Sequence, residues 1–195
     1  MNEKEPLRDS KGRTEEEFLS EYDITRWPRP SVTVDNVVLC TLAQRRAVLL
    51  IRRRNHPFIG AWALPGGFVD MDESLEAAAM RELFEETHVE CAAPVQLGAY
   101  GDPGRDPRGR VITVAFLAEL PEGAVPTAGD DAAEADLFTV EPHESSFTLT
   151  PMGAGENITV PFDFENGRAK DIKVPALAAD HPRILADALR KAHII

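Results

Sequence analysis

The chain has 195 residues, 43% hydrophobic and 28% charged, with a formal net charge of −12. That length accommodates one domain with a substantial core and small appendages, and the balance of residue types is that of an ordinary globular protein. The negative charge excludes nucleic acid and an anionic membrane surface as expected main partners, since both select basic surfaces. Two cysteines, Cys40 and Cys91, stand far apart among apolar or small neighbours and read as buried free thiols. The opening MNEKEPLRDS lacks an apolar h-region, and no apolar run approaches the roughly 18 residues of a membrane span, so a cytoplasmic location is expected.

Residues 1–28 read as an N-terminal extension. Thr14 and Glu17 have capping-box spacing, which predicts a short helix to about Tyr22 that docks through Phe18, Leu19 and Tyr22. Trp27-Pro28-Arg29-Pro30 ends it. Ser31 to Cys40 and Ala47 to Ile51 predict an antiparallel pair of strands. Trp62-Ala63-Leu64 leads into Pro65-Gly66-Gly67, and Ser74 is the predicted N-cap of a helix over Leu75 to Thr87. Val95, Leu97 and Ala99 alternate as a strand, a turn-rich loop spans Gly101 to Arg110, and Val111 to Leu117 is the predicted central strand. Ala128 to Asp136 reads as an acidic loop feeding a strand over Leu137 to Val140. A separate hairpin is expected at about 156–175, turning at Asn166-Gly167, with Glu165 against Arg168, Asp163 against Lys170 and a bulge near Ile172 and Val174. An amphipathic helix at about 180–193 closes the chain, with Ile184, Leu185, Ala188 and Leu189 inward. Strands on both sides of a helix imply a mixed sheet with helices on its faces, an α/β domain over 29–195.

The segment from Gly66 to Val89, GGFVDMDESLEAAAMRELFEETHV, carries the chemistry. On a helix Glu82, Glu85 and Glu86 fall within an arc of roughly 100°, because i, i+3 and i+4 share a face. Clustered like charges repel by a few tenths of a kcal/mol per pair, a cost that a cation removes. Ala77, Met80, Leu83 and Phe84 are expected on the core side.

The spacing Gly67, five residues, Glu73, seven residues, then Arg81-Glu82-Leu83-Phe84-Glu85-Glu86-Thr87-His88-Val89 resembles the Nudix hydrolase signature G-x5-E-x7-R-E-U-x-E-E-x-G-U, where U is apolar. His88 is the one departure, standing where the family has glycine, and the resemblance runs from about Arg29 to Asp136. The Leu64 to Gly67 approach and the Gly101 to Arg110 loop look like the ADP-ribose pyrophosphatase branch. The resemblance implies a Nudix-type α/β/α sandwich with a mixed β-sheet, to which the hairpin and last helix are small C-terminal additions.

It further implies hydrolysis of a nucleoside diphosphate linked to another group, here ADP-ribose to AMP and ribose 5-phosphate, with Mg²⁺ or Mn²⁺ as cofactor. Implied metal ligands are Glu85 and Glu86, joined by Glu82 and the Gly67 carbonyl, with Arg81 orienting them. The general base is left open between Glu82 and a loop carboxylate, Asp131 or Glu134. Arg105, Arg108 and Arg110 crowd into six residues of an acidic protein and suit phosphate or ribose, with Arg53 and Arg54 as further candidates. Trp62 reads as core or as an adenine platform. His56, His143, His181 and His193 show no ligand spacing and read as structural or surface. Alternatives are a nucleoside triphosphate pyrophosphohydrolase acting on oxidised dNTPs, and a non-catalytic ADP-ribose sensor. The sensor's relatives carry a winged-helix domain after the Nudix part, and too little chain follows here for one. A small-molecule nucleotide and a second copy in a homodimer are the expected partners.

Overall fold

Two neighbouring strands buried on both faces organise the molecule. The computed structural model describes residues 6–129 and 132–195. In β1 (Ser31–Leu42) and β2 (Arg45–Arg53) the runs Val37-Val38-Leu39 and Ala47 to Ile51 leave no polar face, and the strands pair antiparallel with Leu39 opposite Val48. Continuous apolar strands need cover on both sides. Val38 and Leu49 pack with Leu83 of the helix Leu75–Thr87, and Val37, Leu39, Val48 and Leu50 pack with Ile184, Leu185 and Leu189 of the helix His181–Lys191 on the other face. The result is the expected α/β/α sandwich.

In chain order the elements are α1 (Glu15–Glu21), β1, β2, β3 (Trp62–Ala63), α2 (Leu75–Thr87), β4 (Val95–Tyr100), β5 (Val111–Glu119), β6 (Ala132–Pro142), β7 (Ser146–Pro151), β8 (Ile158–Pro161), β9 (Phe164–Glu165), β10 (Arg168–Ala169) and α3 (His181–Lys191). Among the described residues the sheet runs β4-β5-β1-β2-β6-β7-β8, with β3 added to β2. Only β1 and β5 pair parallel within it, Ser31 opposite Val111 through Leu39 opposite Glu119, so the sheet is mixed. No helix among the described residues is long and apolar enough to cross a membrane.

Four expectations need correction. The capping box of α1 forms, but Phe18, Leu19 and Tyr22 stay exposed and the helix buries no residue, so it does not dock on the body of the chain. In α2 the core side is Ala78, Ala79 and Leu83, whereas Met80 and Phe84 are 44% and 45% exposed. Small alanines bring this helix close to the sheet, which turns the larger side chains outward. Residues 158–161 do not belong to the hairpin but close the main sheet as β8 against β7, a strand the sequence reading passed over. The hairpin is the short β9–β10 pair, with Glu165 opposite Arg168 as expected and an Asp163–Lys170 ion pair at 2.6 Å; no strand reaches Ile172, so no bulge forms. Finally, Ala132 to Asp136 is the start of β6 rather than loop, because Ala132 and Ala135 fill the space beside Ile51.

At the end of α2, His88 occupies the left-handed region (φ 55°, ψ 26°) that the family glycine suggests, and its N–H donates to the Phe84 carbonyl. Its ring sits 3.2 Å from the Thr127 carbonyl, an exposed contact. The left-handed conformation costs a non-glycine residue about 1 kcal/mol, more than an exposed hydrogen bond returns. His88→Gly should therefore raise the melting temperature by about 1–2 °C with turnover unchanged, read by calorimetry and kinetics. A fall in melting temperature would show that the ring contact outweighs the strain.

Candidate functional site

A cleft of about 360 Å³ opens where the glycine loop, α2, the end of β2 and the start of α3 meet. The glycine loop lies along β1: the N–H of Val34 donates to the Gly67 carbonyl at 2.9 Å and that of Asn36 to the Pro65 carbonyl at 2.8 Å. This close approach explains the glycines. A methyl on Gly66 would fall 2.1 Å from the Val34 carbonyl oxygen, and one on Gly67 would fall 2.4 Å from Glu82 Oε1. On α2, Ser74 Oγ accepts from the Ala77 N–H at 3.2 Å, which fixes the helix start that the sequence predicts.

Arg81 is the hub of the acidic wall. Its guanidinium reaches Glu73 at 2.6 Å, Glu82 at 2.9 Å, Glu85 at 3.1 Å and the Phe68 carbonyl at 3.0 Å. The Glu73 hydrogen bond above all holds Arg81 protonated, and Arg81 in turn holds Glu73 below the usual carboxylate range. Glu82 and Glu86 enter the cleft lining, whereas Glu85 lies on Arg81 at the surface side and outside that lining. The three carboxylates expected to converge are therefore two plus one.

Glu86 is 8% exposed, and its carboxylate accepts the Gly66 N–H at 2.8 Å. Burial first, then the neighbouring Glu82 and Asp35, push it up to about 8, against the Gly66 N–H and Arg53. Glu82 is pushed up by burial, with Arg81 opposing. Glu86 thus keeps its proton in the fold to about pH 8 but loses it near 4.5 when unfolded, so the folded state binds more protons across that window. Without added divalent ions, stability should fall as pH rises through it, by at most about 1.4 kcal/mol per pH unit. His181, kept neutral by burial, acts in the opposite sense and only below its ordinary value of 6.5. Urea midpoints from about pH 6.5 to 8 should decline in the wild type and stay flatter in Glu86→Gln. Parallel curves would remove Glu86 as the source.

Basic groups share the cleft. Arg53 and Arg54 line it at the end of β2, where Arg53 Nε donates to the Pro57 carbonyl at 2.7 Å and Arg54 to the Ala132 carbonyl at 2.8 Å. Arg108 pairs with Asp106 at 2.7 Å and lies over the Phe68 ring at 4.9 Å. Arg105 also lines the cleft, yet its guanidinium is buried and forks onto Asp180 at 2.7 and 3.0 Å. Arg110 lies outside the lining and donates to the Gly101 carbonyl, which closes its own loop. Glu134, on β6, is likewise outside, opposite Arg52 of β2 and paired with it at 2.9 Å. Asp131 falls outside the described residues. Trp62 packs edge-on against Phe138 at 4.8 Å, away from the cleft.

Sequence reasoning missed Asp35, Phe58, Phe68 and His181 in the lining. Asp35 carried one signal, a carboxylate within an otherwise apolar strand. His181 carried none, because the groups its ring nitrogens meet, on Leu64 and Asp35, are more than a hundred residues away in sequence.

A family model described as NUDIX domain matches residues 32–155. An ADP-ribose pyrophosphatase of Methanocaldococcus jannaschii is 36% identical over 161 residues, 83% of this chain and 74% of that protein. The crystal structure of a MutT/nudix family protein from Enterococcus faecalis matches with a TM-score of 0.79 at 38% identity, covering 93% of this chain and 70% of that one. The NUDIX domain of Shewanella oneidensis NrtR, solved in complex with ADP ribose, matches with a TM-score of 0.68 at 30% identity, covering 92% of this chain and 99% of that one.

Proposed function

Since the chain belongs to the Nudix family of hydrolases, we propose that it splits ADP-ribose into AMP and ribose 5-phosphate with Mg²⁺ or Mn²⁺. The observation that carries the reading is that the half-buried Glu82 and the buried Glu86 share one cleft with Arg53, Arg54 and Arg108, an arrangement suited to a diphosphate held partly by cations and partly by guanidinium groups. Similarity to the Methanocaldococcus pyrophosphatase over most of both chains supports the substrate.

The donor set fits a hard divalent cation. Glu86, pushed up to about 8 by burial, is a carboxylate short of positive charge, and the missing side chain of Gly67 leaves room for the Glu82 carboxylate, which a methyl there would meet at 2.4 Å. Among the described residues no three ligand groups form a closed cage, and Mg²⁺ needs none, because it binds through one or two carboxylates plus substrate oxygens and water. Glu82, Glu86 and the Gly67 carbonyl are the proposed ligands, with Glu85 as a further one. Bound there, the cation would polarise phosphoryl oxygens and make water easier to deprotonate.

Glu82 takes the proton of the attacking water, a role that its raised pKa favours. Its position in the lining ranks it above Glu134, which is committed to Arg52. The water oxygen attacks one phosphorus, the bridging P–O bond breaks, and each product leaves with one phosphate. Arg81 holds Glu73, Glu82 and Glu85 in place, while Arg53 and Arg108 meet phosphate charge and Arg105 shapes the wall from its buried pair. Arg110 is kept only as a residue that shapes the loop.

The test is a turnover screen of the purified protein with Mg²⁺, Mn²⁺ or chelator against ADP-ribose, NADH, diadenosine polyphosphates and oxidised dGTP. AMP and ribose 5-phosphate should appear from ADP-ribose and vanish with chelator. Preference for oxidised dGTP would transfer the protein to the triphosphate alternative. The likeness to the ADP ribose complex of the NrtR domain favours one second reading, a sensor, which binding of ADP-ribose without turnover in a calorimeter would establish. A homodimer is the proposed assembly, to be read by light scattering.

A further inference from the structure

The chain between the hairpin and α3 is stitched to the strand that leads into the glycine loop. The N–H of Trp62 donates to the Ala176 carbonyl at 2.9 Å, that of Ala178 donates to the Trp62 carbonyl at 2.8 Å, and Trp62 and Leu177 form a parallel bridge. The next inward donor on this side of β3 is the Leu64 N–H. By then the partner segment has turned into α3 and offers no carbonyl. The imidazole of His181 takes its place, with Nδ1 2.9 Å from the Leu64 nitrogen in a buried contact.

An acceptor cannot carry a proton, so the ring proton belongs on Nε2. Nε2 lies 3.5 Å from Asp35 Oδ1, and Asp35 Oδ2 lies 3.7 Å from Arg105 Nη2. Arg105 in turn forks onto Asp180, the residue before His181. All four side chains are buried. Asp35 from β1, Asp180 from the helix cap, Arg105 from the loop and Arg53 from β2 are the charged groups that act on His181, and burial outweighs them to keep the ring neutral. An isolated buried imidazole is commonly a satisfied core group; here the atom that it satisfies lies two residues before Gly66, whose N–H holds Glu86.

We infer that His181 is a positioning residue: as the Nε2–H tautomer it fixes the entry of the Leu64 to Gly67 loop, and so the Gly66 N–H on Glu86 and the Gly67 carbonyl, to helix α3. This rests on the proposed role of Gly67 and Glu86 in cation binding. It assigns the C-terminal helix a part in the site although its contribution comes from 117 residues along the chain.

Three measurements test it on the full chain. Nitrogen NMR of the wild-type imidazole from about pH 6 to 8 should show the Nε2–H tautomer throughout; an Nδ1–H tautomer or an imidazolium would overturn the inference. In His181→Ala, Mn²⁺ affinity and kcat for ADP-ribose should each fall roughly 10- to 100-fold with KM within about threefold, as for other supports of metal ligands. His181→Asn, whose side-chain oxygen can accept at the Nδ1 position, should recover both to within about fivefold of wild type. Equal loss in Ala and Asn, or a rise in KM alone, would overturn the inference, the latter by making His181 a substrate contact. Should the alanine variant not fold, the wild-type tautomer and the asparagine variant still decide. A wild type that binds Mn²⁺ but leaves ADP-ribose intact would refute the proposed substrate, while the tautomer and Mn²⁺ affinities continue to judge His181.

Discussion

Glu86→Gln should lower kcat for ADP-ribose at least roughly 100-fold, because preorganised charge at the reacting phosphates carries most of such a rate. The substitution is nearly isosteric, and the remaining amide oxygen can still accept the Gly66 N–H that now lies 2.8 Å from Oε2. What disappears is the negative charge and one donor to a cation. The loss is therefore chemical rather than structural, and the variant should be as stable as the wild type at neutral pH, and more so at about pH 8 without divalent ions, where the wild-type carboxylate is driven toward ionisation in a buried place. Steady-state kinetics at saturating Mg²⁺, with AMP quantified by chromatography, reads the first effect and calorimetry the second. Turnover within tenfold of wild type would remove Glu86 from the proposed chemistry.

The contrast between Glu86 and His181 shows where the sequence is legible. Glu86 is legible because its relations are local: Gly67, Glu73, Arg81, Glu82 and Glu86 keep a spacing that a loop followed by a helix must keep, and Ser74 marks the helix start. The burial of β1 and β2 is legible for a similar reason, since continuous apolar runs declare burial. Local patterning is silent on which face of α2 meets the sheet, because Ala78 and Ala79 pack closer than the larger Met80 and Phe84. It is equally silent on Ala132 to Asp136, where small and acidic residues lack strand propensity and only the ladder with β2 makes them a strand. That ladder also withdraws Glu134 from the cleft, by setting it opposite Arg52. The pairing of Arg105 with Asp180 is equally illegible, since Asp180 is distant in sequence.

Gly129→Ala tests a support that no motif announces. The segment before β6 caps the C-terminal turn of α2: the Thr127 N–H donates to the Thr87 carbonyl at 3.0 Å and the Gly129 N–H to the Glu86 carbonyl at 2.9 Å. These bonds satisfy carbonyls that a helix end leaves without partners, and they bring the two backbones into contact. A methyl on Gly129 would fall 1.7 Å from the Glu85 carbonyl oxygen, 2.8 Å from its carbon and 3.1 Å from Glu86 Cα. All three are backbone atoms, so no flexible side chain can yield. Either the segment leaves the helix, or the turn that carries Glu85 and Glu86 shifts. The first costs stability by about 1–3 kcal/mol, the usual range for overpacking. The second moves the Glu86 carboxylate by a distance on the order of 1 Å, enough to cost about 100-fold in rate. The expected result is a fall in both melting temperature and kcat. Gly98→Ala is the control, because its methyl would meet only Arg168 Nη2, at 3.4 Å, and should leave both values near wild type. If Gly129→Ala instead matches that control in turnover and melting, the segment before β6 yields freely and the position of Glu86 rests on the glycine loop, whose Gly66 N–H it accepts.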